Sequence, residues 1–332
     1  MNKILHIRDL VVEFPVQDSH RKLRAVDGVS FSIGSNEVVG LVGESGCGKS
    51  TTGNSIIGLA PVSGGSISFC GRQIDMRSAA ETRQFRREVQ MVFQDPMGSL
   101  NPRLTVGDAV LETLYVHRRH LGLLTRELQR ARTCELLDLV GLGADFFGRY
   151  PHELSGGQRQ RIGIARALAV RPKLLIADEP VSALDVSIQV QILNLLKDLS
   201  KELSFACLFI AHDLAVVRYM CERTMVMYLG EIVEEAPSEE LFSNPLHPYT
   251  QALLSAVPDV AKGLASRNKK SGRVILSGEV PSRLEPIKGC PFASRCPHAA
   301  EKCRIERPKL VGYGNSHSAG CHFAGVWACK GL

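Results

Sequence analysis

Gly43-Glu44-Ser45-Gly46-Cys47-Gly48-Lys49-Ser50-Thr51 is the stretch on which the reading of this chain turns. It fits G-x-x-x-x-G-K-[ST]. The apolar run Glu37 to Val42 precedes it and Asn54 to Leu59 follows in helical spacing, so buried strand, glycine-rich loop and helix come in the order a phosphate site requires. The glycines let the backbone curl so that successive N–H groups face phosphate oxygens. The helix N-terminus adds partial positive charge and Lys49 a full one. Ser50 is expected to place its hydroxyl on Mg²⁺. Upstream, Leu5 to Phe14 and Val29 to Ile33 read as strands.

Downstream, the apolar strand Lys173 to Ala177 runs into Asp178 and Glu179, which predicts two carboxylates at the carboxyl edge of a sheet beside the phosphate loop. They divide the work: Asp178 holds the Mg²⁺ shell, and Glu179 orients and polarises the attacking water as general base. Loop and carboxylates together describe an α/β nucleoside-triphosphate hydrolase.

The composition agrees. With 332 residues, 44% of them hydrophobic and 22% charged, the chain can bury one large core or two modest ones. Lysine plus arginine is 40 against 34 for aspartate plus glutamate, a net charge of +6 without a long basic block, which allows a nucleic-acid partner without demanding one, and none is expected. No apolar run approaches the roughly 20 residues of a membrane span. Met1 to Asp9 alternates apolar and polar residues and meets Arg8 and Asp9 before a signal-type stretch can form, which predicts residence in the cytosol. There the ten cysteines are expected to be reduced or metal-bound. Cys47, Cys70, Cys134, Cys207 and Cys221 are scattered, whereas Cys290, Cys296, Cys303, Cys321 and Cys329 crowd the end of the chain.

Leu154-Ser155-Gly156-Gly157-Gln158, followed by the helical run Arg159 to Ala169, narrows the choice. Here the sequence resembles the ATP-binding-cassette family, whose signature is LSGGQ. Gln94 after the strand Val89 to Phe93 matches the Q-loop, Ser182-Ala183-Leu184-Asp185 the D-loop, and His212 after the strand Phe205 to Ala211 the switch histidine. Taken alone, His212 reads as a solvated cap at a strand end. The resemblance implies a P-loop NTPase fold of nucleotide-binding-domain type, with a RecA-like core, an antiparallel β-subdomain and a helical subdomain. The cassette would span 1–245, with 95–153 as the helical subdomain, and 246–332 would be a Cys-rich C-terminal extension. In the helical subdomain Val106, Val110, Leu114, Leu128, Leu136, Leu137 and Val140 carry the apolar spacing.

The same resemblance implies Mg-dependent ATP hydrolysis, with Gln94 arranging Mg²⁺ and water and His212 contacting the γ-phosphate. Ser-Gly-Gly ahead of a helix is itself an anion site. In the family two cassettes pack head to tail, so Ser155, Gly157 and Gln158 of one chain close over the ATP held by the other. The aromatic residue that stacks on adenine has Phe14 and His20 as candidates and neither spacing assigns it. Cys47 reads as a small side chain turned away from nucleotide.

Three further runs, GSLNPR around Asn101 and Pro102, SALDVSIQ around Asp185 to Ile188, and NPLHPYTQALLSAVP around His247-Pro248-Tyr249, look like the dipeptide and oligopeptide importer ATPases. Nickel and glutathione importers share that subgroup. Alone, His-Pro-Tyr reads as a turn opening a helix at Thr250 to Ala256. The implied partners are a second, identical or homologous, ATPase subunit, two transmembrane permease subunits and, indirectly, a substrate-binding protein, at the cytoplasmic face of the inner membrane. ABC ATPases that work without membrane partners usually carry two cassettes or a long coiled coil. This chain has one phosphate loop, one signature and no heptad run of coiled-coil length.

Lys262 to Gly272, rich in Ser, Lys, Arg and Gly, reads as a linker. After it comes Cys290-x5-Cys296-x6-Cys303-x17-Cys321, in a tail too small to build much core, where a bound metal could supply the missing stability. Close C-x2-4-C pairs of the zinc type are absent. Three readings stay open: an iron–sulfur cluster, zinc helped by His298, His317 or His322, and free buried thiols. Resemblance to the peptide importers implies a [4Fe-4S] cluster on Cys290, Cys296, Cys303 and Cys321, leaving Cys329 aside.

Overall fold

The computed structural model describes residues 3–16, 21–256, 281 and 287–326. His20, the linker 262–272 and Cys329 lie outside them. Packing divides the chain into two units that do not follow chain order: Met1–Ile4, Ile33–Glu37 and Phe69–Ile210 in the first, Leu5–Ser32, Val38–Ser68 and Ala211–Leu332 in the second.

In the first unit, the strands Val89–Val92, Leu174–Asp178 and Ala206–Ala211 pair in parallel, with Val92 opposite Ala177 and Asp178 opposite Ile210. Every residue of Leu174–Asp178 is buried, as a parallel strand covered on both faces must be. The helices Val106–Leu121 and Arg126–Leu139 pack on each other and on Gly156–Leu168. Thr105 and Thr125 cap the first two by accepting from Asp108 N and Leu128 N.

Val106, Val110, Leu114, Leu136, Leu137 and Val140 are buried as their spacing predicts, but Leu128 is 49% exposed. The buried face of its helix runs through Gln129, Thr133, Leu136 and Leu137 instead. Two polar residues tolerate that face because each bonds to nearby backbone: Gln129 Nε2 donates to Leu123 O at 2.8 Å, and Thr133 Oγ1 to Gln129 O at 2.9 Å.

The second unit carries a sheet in which Lys22–Gly34, Lys3–Pro15 and Gly64–Phe69 lie side by side in that order. Lys22–Gly34 begins seven residues before the strand expected at Val29, because Lys22 and Arg24 both reach Glu13 of the neighbouring strand, at 3.3 and 3.0 Å. Cross-strand ion pairs extend the ladder where the apolar pattern is silent. A second sheet pairs Val38–Val42 in parallel with Arg223–Tyr228, which turns back as the antiparallel strand Glu231–Pro237. Ser318–Ala319 adds antiparallel to Glu231–Pro237, and Val311–Gly312 adds outside it, so the C-terminal extension completes this sheet. No helix among the described residues is long and apolar enough to cross a membrane.

Candidate active site

Strand Val38–Val42 is buried throughout and stops at Gly43. A Cβ at Gly43 would come within 2.2 Å of the Met227 carbonyl oxygen, and one at Gly48, whose φ is 110°, within 2.4 Å of the Ala25 carbonyl oxygen. The curl of the loop against these two strands therefore admits only glycine at both places. Gly48 opens the helix Lys49–Ile56. Lys49 is only 4% exposed, and its Nζ donates to the carbonyls of Gly43 at 2.9 Å and Glu44 at 3.0 Å, inside the curl. Cys47 N donates to Glu44 O at 3.1 Å and Gly230 N to Cys47 O at 2.9 Å, tying the loop to the Tyr228–Glu231 turn. Ser45 and Gly46 form the exposed tip, Ser50 and Thr51 are half-buried, and Cys47 is buried. Thr52, which the motif does not single out, anchors the helix by donating from Oγ1 to Gly48 O at 2.9 Å.

In the first unit, Asp178 ends its strand nearly buried and Glu179 follows with φ 43°. A left-handed glutamate costs on the order of 1–3 kcal/mol and persists only where the surroundings impose it. Glu179 N donates to Ile210 O at 2.9 Å, while Glu179 O accepts from Ser182 Oγ at 3.1 Å. The turn thus aims the carboxylate at Gln94, whose Nε2 donates to Glu179 Oε2 at 3.0 Å. Two motif residues far apart in the chain are joined at the ends of neighbouring parallel strands.

The signature opens the helix Gly156–Leu168 through a reciprocal cap. Ser155 N donates to Gln158 Oε1 at 2.9 Å and Gln158 N to Ser155 Oγ at 3.3 Å. Ser-x-x-Gln is a capping-box pattern, so this pair was legible without the structure. A Cβ at Gly157 would meet Ile188 Cγ2 at 2.4 Å, which explains the small residue there. His212 is exposed directly after Ala206–Ala211 and is not the cap of the next helix, since Asp213 Oδ1 takes that role by accepting from Ala215 N at 2.8 Å. Phe14 is half-buried on the strand Lys3–Pro15.

Comparison with known proteins identifies the family. Residues 26–182 match the ABC transporter family, and residues 233–303 match the C-terminal region of oligopeptide and dipeptide transporters. The oligopeptide transport ATP-binding protein AppF of Bacillus subtilis (strain 168) is 49% identical over 325 residues, covering 96% of this chain and 97% of the relative. The chain belongs to the oligopeptide-type ABC transporter ATPases.

Other members of the family are similarly near. The oligopeptide transport ATP-binding protein OppF of Salmonella typhimurium is 47% identical over 96% of this chain and 95% of its own length. Among solved structures, the dimeric post-hydrolysis cassette MJ0796 bound to ADP and Pi superposes with a TM-score of 0.63 at 30% identity, over 71% of this chain and 99% of that one. The remainder of this ATPase includes its extension, which has its own order. Helix Pro248–Ser255 starts two residues before the expected Thr250, with proline at its first position and His247 as N-cap, Nδ1 accepting from Tyr249 N at 3.1 Å. A histidine cap escapes the usual Ser/Thr/Asp/Asn rule. Burial lowers the His247 pKa to about 4, which keeps the ring neutral and able to accept.

Glu234 is fully buried and accepts from Leu246 N at 2.6 Å and His247 N at 3.0 Å, with His317 Nε2 at 2.7 Å from its Oε1. His317 is therefore committed to the sheet. Cys290, Cys296, Cys303 and Cys321 line one small apolar cavity together with His247, His298 and His322. Cys290 N donates to Cys303 O at 2.7 Å, and a Cβ at Gly289 would lie 2.3 Å from the same oxygen, so glycine permits the approach. Burial raises the Cys290 thiol to about 12 and those of Cys296 and Cys321 upward as well. Among the described residues no three His, Cys, Asp or Glu side chains close on a single-ion position.

Proposed function

We propose that this chain is the ATP-hydrolysing subunit of a peptide importer, working at the cytoplasmic face of the inner membrane with a second ATP-binding subunit, two permease subunits and, through them, a substrate-binding protein. The hydrogen bond between Gln94 and the left-handed Glu179 carries the hydrolytic half of this reading, because it holds a carboxylate in one direction at a strand end. The loop 43–51 binds the phosphates, with Lys49 supplying the full positive charge. Ser50, Gln94 and Asp178 provide oxygen ligands of the kind Mg²⁺ takes, and the bound ion neutralises charge on the phosphates. Glu179 takes the proton of the attacking water, and His212, exposed after its strand, contacts the γ-phosphate. Ser155, Gly157 and Gln158 serve the nucleotide of the partner cassette. Residues 1–245 form the cassette, with 95–153 its helical subdomain, and 246–332 the extension.

Peptide as cargo is supported by the names of the relatives, oligopeptide transport proteins matched along nearly their whole length. In cells carrying the permease pair and the substrate-binding protein, the subunit is expected to support uptake of labelled oligopeptides and to sediment with membranes only when the permeases are present. Uptake of Ni²⁺ or glutathione instead would move the cargo within the subgroup. Full ATPase activity with no membrane association would sink the transport role.

For the extension we read a [4Fe-4S] cluster on Cys290, Cys296, Cys303 and Cys321. Four cysteines around one apolar cavity fit it, since a cluster spreads its thiolate ligands wider than a single ion does, and an apolar cavity stabilises thiolates only with a cationic centre among them. Zinc is the weaker reading, because His317 is engaged by Glu234. Anaerobically purified protein is expected to hold about four irons and four sulfides per chain, and Cys303→Ser to lose them. Metal-free protein that stays folded and hydrolyses ATP would reduce the tail to a docking element.

A further inference from the structure

Glu44 places a carboxylate in the loop that must receive anionic phosphates, which by charge alone opposes binding. Three side chains restrain that residue. Arg295 makes a two-pronged pair with its carboxylate, Nη1 to Oε2 at 2.8 Å and Nη2 to Oε1 at 3.1 Å. The Glu44 N–H donates to Tyr249 Oη at 2.9 Å, and the Glu44 carbonyl accepts from Lys49 Nζ at 3.0 Å. Arg295 is 8% exposed and Tyr249 is fully buried, so two partners come from the interior of the extension.

The turn that carries Arg295 is itself fixed. Ala293 N donates to Cys290 O and Arg295 N to Phe292 O, both at 3.0 Å. Phe292 is 1% exposed and packs its ring edge-on to Tyr228 at 5.2 Å and against Tyr249 at 5.5 Å. A guanidinium in a buried fork geometry delivers charge and orientation at once, as a lysine could not. Arg307 adds a second tie by donating to Asp27 Oδ2 at 3.0 Å and to Glu231, on the strands beside the loop.

We propose that Arg295 is a positioning residue for nucleotide binding: it neutralises the Glu44 carboxylate and holds it in place, so that the Cys-rich extension offsets a repulsion which the phosphate loop would otherwise present to nucleotide. The inference rests on nucleotide binding by residues 43–51. It makes the extension part of the ATP site's electrostatics, acting through Glu44 without touching nucleotide.

The test is a cycle on the full-length chain with Arg295→Ala, Glu44→Gln and the pair together, measuring MgADP affinity by calorimetry, KM and kcat for ATP, and the thermal midpoint. Arg295→Ala leaves an unpaired carboxylate at the phosphates, so the MgADP Kd and the ATP KM are expected to rise about tenfold or more with kcat within about twofold. Adding Glu44→Gln to Arg295→Ala removes the repulsion and is expected to restore most of that affinity, without restoring the thermal midpoint. Glu44→Gln alone, with the guanidinium kept, is expected to bind MgADP at least as tightly as the unaltered protein, and this arm stands even if Arg295→Ala does not fold. Arg295→Lys keeps the charge without the fork and falls between. A double variant as weak as Arg295→Ala, or affinity losses that track the thermal midpoint, would overturn the proposal. Failure of the unaltered chain to bind MgADP would instead sink the nucleotide reading beneath it.

Discussion

Glu179→Gln is expected to bind MgATP about as tightly as the unaltered subunit while hydrolysing it roughly 10²–10⁴-fold more slowly, the range a positioned general base contributes. The substitution is nearly isosteric and leaves an amide oxygen able to accept from Gln94 Nε2, now 3.0 Å from Glu179 Oε2. It removes only the proton acceptor. Because binding survives and hydrolysis does not, the variant is also expected to accumulate as the closed cassette pair in ATP, visible as a shift to dimer on size exclusion that the unaltered protein shows only transiently. Hydrolysis at a normal rate by Glu179→Gln would take the base role away from this residue. The geometry makes the prediction specific to position 179: Asp178 ends the fully buried strand Leu174–Asp178, whereas the left-handed φ of 43° turns the next side chain out of the strand's direction.

Lys49→Ala is expected to weaken ATP binding about ten- to hundredfold, from the loss of charge-assisted hydrogen bonds that contribute roughly 1.5–3 kcal/mol. At 4% exposure, with Nζ bonded to the carbonyls of Gly43 and Glu44, the ammonium sits inside the curl of the loop. The same two bonds brace the strand-to-helix turn, so a modest fall in thermal midpoint accompanies the loss. Lys49→Arg is not expected to rescue it, because the planar guanidinium is too large for an enclosed loop that Gly43 and Gly48 already fit to within a Cβ of neighbouring carbonyls. A nucleotide titration with tight binding by Lys49→Ala would show that the backbone N–H array suffices by itself.

The elements that carry chemistry were legible because their requirements are local. A glycine-lysine-serine loop after an apolar run needs only its own spacing to be read, and the strands before Gly43 and Asp178 appear within a residue or two of where the apolar runs end. Leu128 lies off the buried face for the opposite reason. Its spacing fits an apolar stripe, but Gln129 and Thr133 each donate to a nearby backbone carbonyl and occupy the buried face instead, an outcome that period counting cannot register. Lys22–Gly34 is longer than its apolar pattern because its first half is held by Glu13 through ion pairs, and Pro248–Ser255 starts earlier than its pattern because a neutral histidine serves as its cap.

What the sequence by itself determined is the kind of chemistry: a phosphate loop, an acidic strand end and a signature helix, each recognisable from residue type and spacing. What only the tertiary structure decided is which groups meet. Glu44 and Arg295, 251 positions apart, form a partly buried pair between the phosphate loop and the extension, and Glu234 gathers Leu246, His247 and His317 around one carboxylate. Nothing in the local pattern of Gly43 to Thr51 marks its carboxylate as neutralised, because the neutralising charge arrives from a turn whose position depends on Phe292 packing against Tyr228 and Tyr249. Backbone curvature follows from nearby residues, whereas compensation of a partly buried charge depends on whatever the fold brings beside it.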